Sequence, residues 1–376
     1  MKAPSSFCAV IVIAAVLLIV CINFKETAGY SSTQLISSRD RKVLPEIERS
    51  MECVLHNGRD AVVIPLVSDE NNIFNIDLQI GDVWVRAAVD TGSEALVISG
   101  EDCERCRLSK DEQGYVPMPE SPIHISMMRY GSQSDSVAWD IRPVKMKGWQ
   151  FTCDDDDDDS AITVKDATDN KAACIVGNVS LAVVSERTRT SNYNVLGLGA
   201  RTEMGPPSFL SSLFPETPRA FSFLVQSHDN ARLVLHRATA SCDDPKHKFA
   251  IDRGNILSHQ YLLNFDEIRV NAESTGIDPS EYRLMLDTGA NAMSLPKALF
   301  DYMGENHPKG VVGFVLTNIK GEKVELDFPY DMNDRYNAQV LDAGFSNKVI
   351  VGVTFCIGMA IGILETDMER FVTVDW

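Results

Sequence analysis

Two aspartates stand out by what surrounds them. Asp90-Thr91-Gly92-Ser93 and Asp287-Thr288-Gly289-Ala290 lie 197 residues apart (287 − 90). Each triplet follows an apolar run, Val83–Val89 or Arg283–Leu286, and leads into another, Ala95–Ile98 or Asn291–Leu295. One Asp-Thr-Gly is an ordinary turn, because aspartate and glycine are turn residues. Two copies in matched apolar settings point to chemistry. Glycine lets the backbone turn sharply at a strand end, and a threonine hydroxyl can reach across to lock one loop to the other. Two carboxyls brought within a few ångströms cannot both ionise readily, so they share a proton. One can then act as base on a water while the other donates to a carbonyl oxygen, which is acid–base hydrolysis without a metal or a covalent intermediate.

Such a pair needs a scaffold that supplies one loop from each half of the chain, and the internal echo implies a duplicated fold. From Val62 onward the sequence consists of short apolar or alternating segments between turn residues. They include Val62–Val67, Ile73–Ile80, Val83–Val89, Val195–Leu198, Phe221–Val225, Leu233–Leu235, Tyr261–Val270, Lys323–Phe328, Val349–Val353 and Phe371–Val374. Segments of this length and spacing predict an all-β protein. Two short helices are expected, Pro207–Phe214 and Pro296–Tyr302, each opening on proline.

Composition narrows the setting. The chain has 376 residues and a formal net charge of −18, with 53 acidic side chains against 35 lysines and arginines. That balance excludes nucleic acid as an expected partner. Lys2 and the apolar run Phe7–Ile22 predict a signal peptide over residues 1–29, or a signal anchor if it is retained. Residues 30–60 are polar, broken by Pro45, and expected to be a leader or short propeptide. Entry into the secretory pathway makes most of Cys53, Cys103, Cys106, Cys153, Cys174, Cys242 and Cys356 candidates for pairing, with the odd count leaving one over. Cys103-x-x-Cys106 reads better as a small disulfide loop than as half a zinc site or a redox pair, and Cys153 with Cys174 is a second expected pair. Asp154–Asp159, six aspartates in a row, reads as a solvated loop, with calcium attraction as the minor reading. No metal ligand set or cofactor is expected. Asn178-Val179-Ser180 is a glycosylation sequon.

From about Val62 onward the chain resembles the pepsin-like aspartic proteases. Besides the two triplets, Ile73–Gly81 is similar to the strand that leads into that family's catalytic hairpin. Tyr130-Gly131-Ser132 resembles the tip of the flap that closes over bound peptide. Asn194-Val195-Leu196-Gly197-Leu198-Gly199 resembles the apolar-apolar-Gly element behind the first catalytic loop, and Ala360-Ile361-Gly362 is the candidate for its counterpart behind the second. The resemblance implies a bilobal acid-protease fold, with two similar β-barrel-like lobes over residues 61–240 and 241–376 and the cleft between them. It also implies a monomeric endopeptidase acting on polypeptides, secreted or held in an acidic vacuolar or lysosomal compartment. Asp90 and Asp287 would be the catalytic pair. Thr91 and Thr288 would lock the loops, Gly92 and Gly289 would donate backbone N–H bonds to the carboxyls, and Ser93 would support the first loop. Tyr130, Gly131 and Ser132 would shield the substrate from water.

Several positions depart from the family pattern. Ala290 stands where a hydroxyl residue is usual, while Ser93 keeps one, so the second carboxyl should lose a donor and hold its proton more tightly. Val97 replaces the tryptophan that partners the flap tyrosine, and the flap's glycine spacing is altered at Gln133. His236-Arg237 replaces a glycine pair near the lobe junction, and Trp376 comes before the last strand usual in the family. These changes leave a second reading open, an inactive pepsin-like binding or inhibitory protein.

Overall fold

The strands follow from alternation of apolar and polar side chains. Along Lys323–Asp331, Val324, Leu326, Phe328 and Tyr330 point into the core while the residues between them face outward. The computed structural model describes residues 61–106, 114–130, 133–151, 172–189, 193–199, 207–214, 219–227, 230–237, 247–251, 260–334, 339–365 and 369–375. The expected signal segment 1–29, the leader 30–60, Gly131, Ser132, Asp154–Asp159, Cys53, Cys153 and Cys242 lie outside these residues. The described residues belong to one unit, Glu52–Trp376.

The chain is all-β. The first half supplies β1 (Ala61–Ser68), β2 (Phe74–Ile80), β3 (Val83–Asp90), β4 (Leu96–Ser99), β5 (His124–Tyr130), β6 (Gln133–Phe151), β7 (Ala172–Arg187), β8 (Asn194–Gly197), β9 (Arg219–Ser227) and β10 (Asn230–Arg237). The second half adds β11 (His247–Ala250), β12 (Glu267–Val270), β13 (Glu273–Ser274), β14 (Arg283–Asp287), β15 (Met293–Leu295), β16 (Lys309–Thr317), β17 (Lys323–Asp331), β18 (Val340–Asp342), β19 (Lys348–Gly352), β20 (Met359–Glu365) and β21 (Arg370–Asp375). A 13-stranded sheet runs β11-β21-β20-β9-β10-β1-β2-β3-β8-β4-β7-β6-β5, so the last two strands join the sheet built by the first half. Two four-stranded sheets, β13-β12-β16-β17 and β14-β19-β15-β18, complete the second half. Among the described residues no helix is long and apolar enough to cross a membrane.

Both expected helices form. The first, α1, covers Phe209–Leu213, and Ser208 caps it by accepting the Ser211 N–H on its hydroxyl oxygen. The second, α2, covers Lys297–Asn306 directly after Pro296 and buries Leu299 and Met303. The strand expectations need two corrections. Tyr261–Val270 is a strand only over its last four residues. Tyr261, Leu262 and Leu263 are buried without forming one, apart from a single bridge between Leu263 and Leu284. The long β6–β7 pair, 19 and 16 residues, was not expected as strands. Ile141, Arg142 and Pro143 lie outside the core there, while Val144 and Met146 on the alternate positions are buried. The strand expected over Phe371–Val374 forms as Arg370–Asp375, between β20 and β11.

Candidate active site

The repeat seen in the sequence is also a repeat of strand topology. In the first half, β3 runs parallel to β8 with Asp90 opposite Gly197. Strand β8 then pairs antiparallel with β4, and β4 parallel with β7. In the second half, β14 runs parallel to β19 with Asp287 opposite Gly352. Strand β19 pairs antiparallel with β15, and β15 parallel with β18. Each aspartate is therefore the last residue of a strand buried against a parallel neighbour, and the triplet is the turn that leaves it.

This symmetry corrects one expectation. The counterpart of the Asn194–Gly199 element is Val349–Gly352, because that segment runs parallel to the strand carrying Asp287. Ala360-Ile361-Gly362 belongs to β20, between β9 and β21, away from that strand. Only glycine fits at either position opposite an aspartate. A Cβ on Gly197 would sit 2.7 Å from the Ser93 and Ala95 carbonyl oxygens, and one on Gly352 would sit 2.5 Å from the Ala292 oxygen and 2.6 Å from that of Ala290.

The two loops hold each other through their threonines. Thr91 Oγ1 donates to the Leu286 carbonyl at 2.8 Å and accepts the Thr288 N–H at 3.1 Å. Reciprocally, Thr288 Oγ1 donates to the Val89 carbonyl at 2.8 Å and accepts the Thr91 N–H at 3.1 Å. Both threonines are buried. The glycines then bring each loop against the opposite carboxyl. A Cβ on Gly92 would lie 2.6 Å from Asp287 Oδ2, and one on Gly289 would lie 2.5 Å from Asp90 Oδ1. The Gly92 N–H donates to Asp90 Oδ1 at 2.7 Å and the Gly289 N–H to Asp287 Oδ1 at 3.0 Å.

Electrostatics follow from this packing. Burial, and then the charge and hydrogen bond of Asp90, push the Asp287 carboxyl well above the ordinary carboxylate value. The N–H groups of Gly289 and Ala290 pull the other way. The pair therefore retains a proton under conditions in which isolated carboxyls have lost theirs. Ala290 has no side-chain hydroxyl to offer the Asp287 carboxyl, and its N–H donates to the Asp287 main-chain carbonyl at 3.2 Å. Ser93, expected to use its hydroxyl, does not: its Oγ is buried with no hydrogen-bond partner. The backbone N–H of Gly92 already holds the Asp90 carboxylate from that loop.

Further residues support the loops without having been singled out from sequence. The Tyr261 hydroxyl donates to the Leu198 carbonyl at 2.8 Å, tying the second half of the chain to the segment behind Asp90. Asn291 Nδ2 donates to the Asn71 carbonyl at 3.1 Å, and the Thr354 hydroxyl donates to the Asn291 carbonyl at 2.6 Å. Cys356 is a buried free thiol in the 3-10 turn Val353–Cys356. Burial, with a smaller push from Asp287, raises it to about 12. None of these carries a sequence signal, because each contact joins segments distant along the chain or buries a side chain common in any core.

Tyr130 ends β5 opposite Gln133, the first residue of β6. The Gln133 side chain donates to Asp135 Oδ1 at 2.9 Å. Val97 is buried in a cluster with Trp139, Cys103 and Cys106. Trp139 Nε1 donates to Ser126 Oγ at 2.8 Å, and its ring stacks on His124, so the indole braces β5 against β6. The Cys103 and Cys106 sulfurs are at bonding distance, 2.10 Å. Asn178 is exposed on β7, opposite Pro143. Among the described residues, no group of three or more His, Cys, Asp or Glu side chains is placed to hold a metal ion. No protein-family model and no curated protein matches this sequence.

Proposed function

We propose that the chain is an aspartic endopeptidase of the pepsin-like kind, with two lobes that each contribute one aspartate to a shared cleft. The observation that carries this reading is the reciprocal threonine lock, which joins two Asp-Thr-Gly turns and brings the carboxyls of Asp90 and Asp287 each against the glycine of the opposite turn. In the mechanism, the ionised member of the pair takes a proton from a water lying between the carboxyls. That water attacks the carbonyl carbon of the scissile peptide bond. The protonated member donates to the carbonyl oxygen, and a tetrahedral diol forms. Proton transfer to the amide nitrogen then lets the C–N bond break and leaves one proton on the pair. The β5–β6 hairpin acts as the flap, and its backbone pairs with the substrate as an added strand. The apolar N-terminal run delivers the enzyme to the secretory pathway, where an acidic compartment suits a proton-sharing pair.

The test is peptide hydrolysis across pH 3–7 with the leader removed, comparing wild type with Asp90→Asn and Asp287→Asn. Cleavage by the wild type that each substitution abolishes is the expected result. Cleavage that persists in both variants refutes the mechanism, and a wild type that binds peptide without cleaving it favours the inactive binding-protein reading.

A further inference from the structure

Along residues 135–139, β6 pairs with β5 on one side and β7 on the other, so only the distal end of the β5–β6 hairpin, past Asp135, lies beyond the β7 ladder. Among the described residues, strand β5 is the outermost strand of the 13-stranded sheet and pairs with β6 alone. Ile123, Ile125 and Met127, on its outward face, are 59%, 69% and 60% exposed. Nearer the base, Trp139 of β6 pairs with Ala182 of β7 and is buried with Val97 and Val184, which anchors that part of the hairpin to the sheet. The direction in which the hairpin points is therefore set where β6 leaves β7.

At that place the ladder is irregular. A bulge between Ser136 and Val137 shifts the register, and the Ser185 hydroxyl donates to the Ser136 carbonyl there at 3.1 Å. A β-bulge bends a strand and re-aims what lies beyond it. Just past the bulge, Asp135 lies opposite Arg187, and Arg187 Nε meets Asp135 Oδ2 at 3.2 Å. Both side chains are buried, at 1% and 2% exposure. The other carboxylate oxygen, Oδ1, accepts from Gln133. One residue further on, the Ser134 N–H donates to Thr188 Oγ1 at 2.9 Å and the Thr188 N–H donates to the Ser134 carbonyl at 3.0 Å. Arg105 clamps the other side of the same strand end, donating to the Arg187 and Thr188 carbonyls at 3.3 and 3.0 Å.

A buried ion pair is a poor way to gain stability, since two well-packed apolar side chains often serve as well or better. It is a good way to fix an angle, because a planar guanidinium meets a carboxylate in few orientations. We infer that Asp135 and Arg187 are positioning residues that hold the β5–β6 hairpin at one angle beyond the bulge, and so set how it covers the peptide. The effect on peptide rests on the proposed endopeptidase function; the effect on the hairpin does not.

The test compares wild type with Asp135→Leu, Arg187→Met and the double variant. Each single change strands a buried polar group and is expected to lower stability. The double change removes both groups and is expected to recover stability without recovering hairpin position. Two readouts are needed. Amide hydrogen exchange over residues 124–135 should quicken in all three variants while exchange over β9 and β10 in the double variant stays at the wild-type rate. For peptide hydrolysis, kcat/KM of the double variant should fall by roughly 10²-fold, with the rise in KM the larger share, as expected for loss of positioning away from the reacting atoms. A double variant with wild-type hairpin exchange, or with wild-type KM in an active enzyme, overturns the inference. If the wild type hydrolyses no peptide, the endopeptidase reading fails on that result, and hydrogen exchange alone decides whether the latch exists.

Discussion

Replacing Thr288 with valine keeps the shape of the side chain and removes one hydroxyl. That hydroxyl makes two of the four bonds in the threonine lock, donating to the Val89 carbonyl at 2.8 Å and accepting the Thr91 N–H at 3.1 Å. Thr288 is fully buried, so water cannot replace either partner. Leaving the Thr91 N–H without an acceptor costs about 1–3 kcal/mol, and losing the bond to the carbonyl costs about 1 kcal/mol more. The expected loss is therefore about 2–4 kcal/mol, a large share of a typical total of about 5–15 kcal/mol. Thr288→Ser is the control, because it keeps both bonds and deletes one buried methyl group worth about 0.8 kcal/mol. Urea unfolding measures both, with the comparison made at an unchanged m-value. The lock is nearly symmetric, so Thr91→Val should behave like Thr288→Val. If Thr288→Val is no more destabilising than Thr288→Ser, the hydroxyl network is not what holds the loops together.

Two further outcomes follow from the same site. Asp287 binds its proton more tightly folded than unfolded, so its contribution to stability is full below the ordinary value of 3.8 and is lost as pH rises through the raised folded value. Asp287→Asn, which has no charge to gain, should therefore become more stable relative to wild type as pH increases towards 7; parallel unfolding midpoints for the two proteins over pH 3–7 would contradict this. Gly352→Ala forces a methyl group against the Ala290 and Ala292 backbone and should cost about 1–3 kcal/mol or more and lower turnover. Gly362→Ala meets the Thr373 hydroxyl most closely, which can rotate, and its nearest backbone atom, the Phe221 carbonyl oxygen, is 3.0 Å away against 2.5 Å for Gly352, so unfolding and hydrolysis assays that rank the two glycines alike would be the contrary result.

The pairing of the two aspartate turns was more legible in the sequence than the framework around it. Asp90 and Asp287 declare themselves because the turn, the strand before it and the strand after it are all local patterns. The Val349–Gly352 element could not be told from Ala360–Gly362 in this way. Both are apolar pairs followed by glycine, and what separates them is which one runs beside β14, a pairing across more than 60 residues. Strands β6 and β7 were missed because an alternating strand with one face outside the core carries Asp140, Arg142, Pro143 and Lys145 as readily as a loop does. Ser93 failed for a different reason. Its residue type suits a hydroxyl donor, but in the folded turn its Oγ meets no acceptor.

The place of β20 in the large sheet bears on how the protein is made. Strand β9 has β10 on one side and β20 on the other, and β20 begins 132 residues after β9 ends (359 − 227). At roughly 5–20 residues per second, a ribosome needs about 7–26 s to cover that stretch. Throughout that interval the far edge of β9, with Phe221, Phe223 and Val225 destined for the core, has no permanent neighbour. An open apolar edge is a template for pairing with another chain. The nascent protein is therefore most exposed to misassembly after its first half is complete and before its last strands arrive.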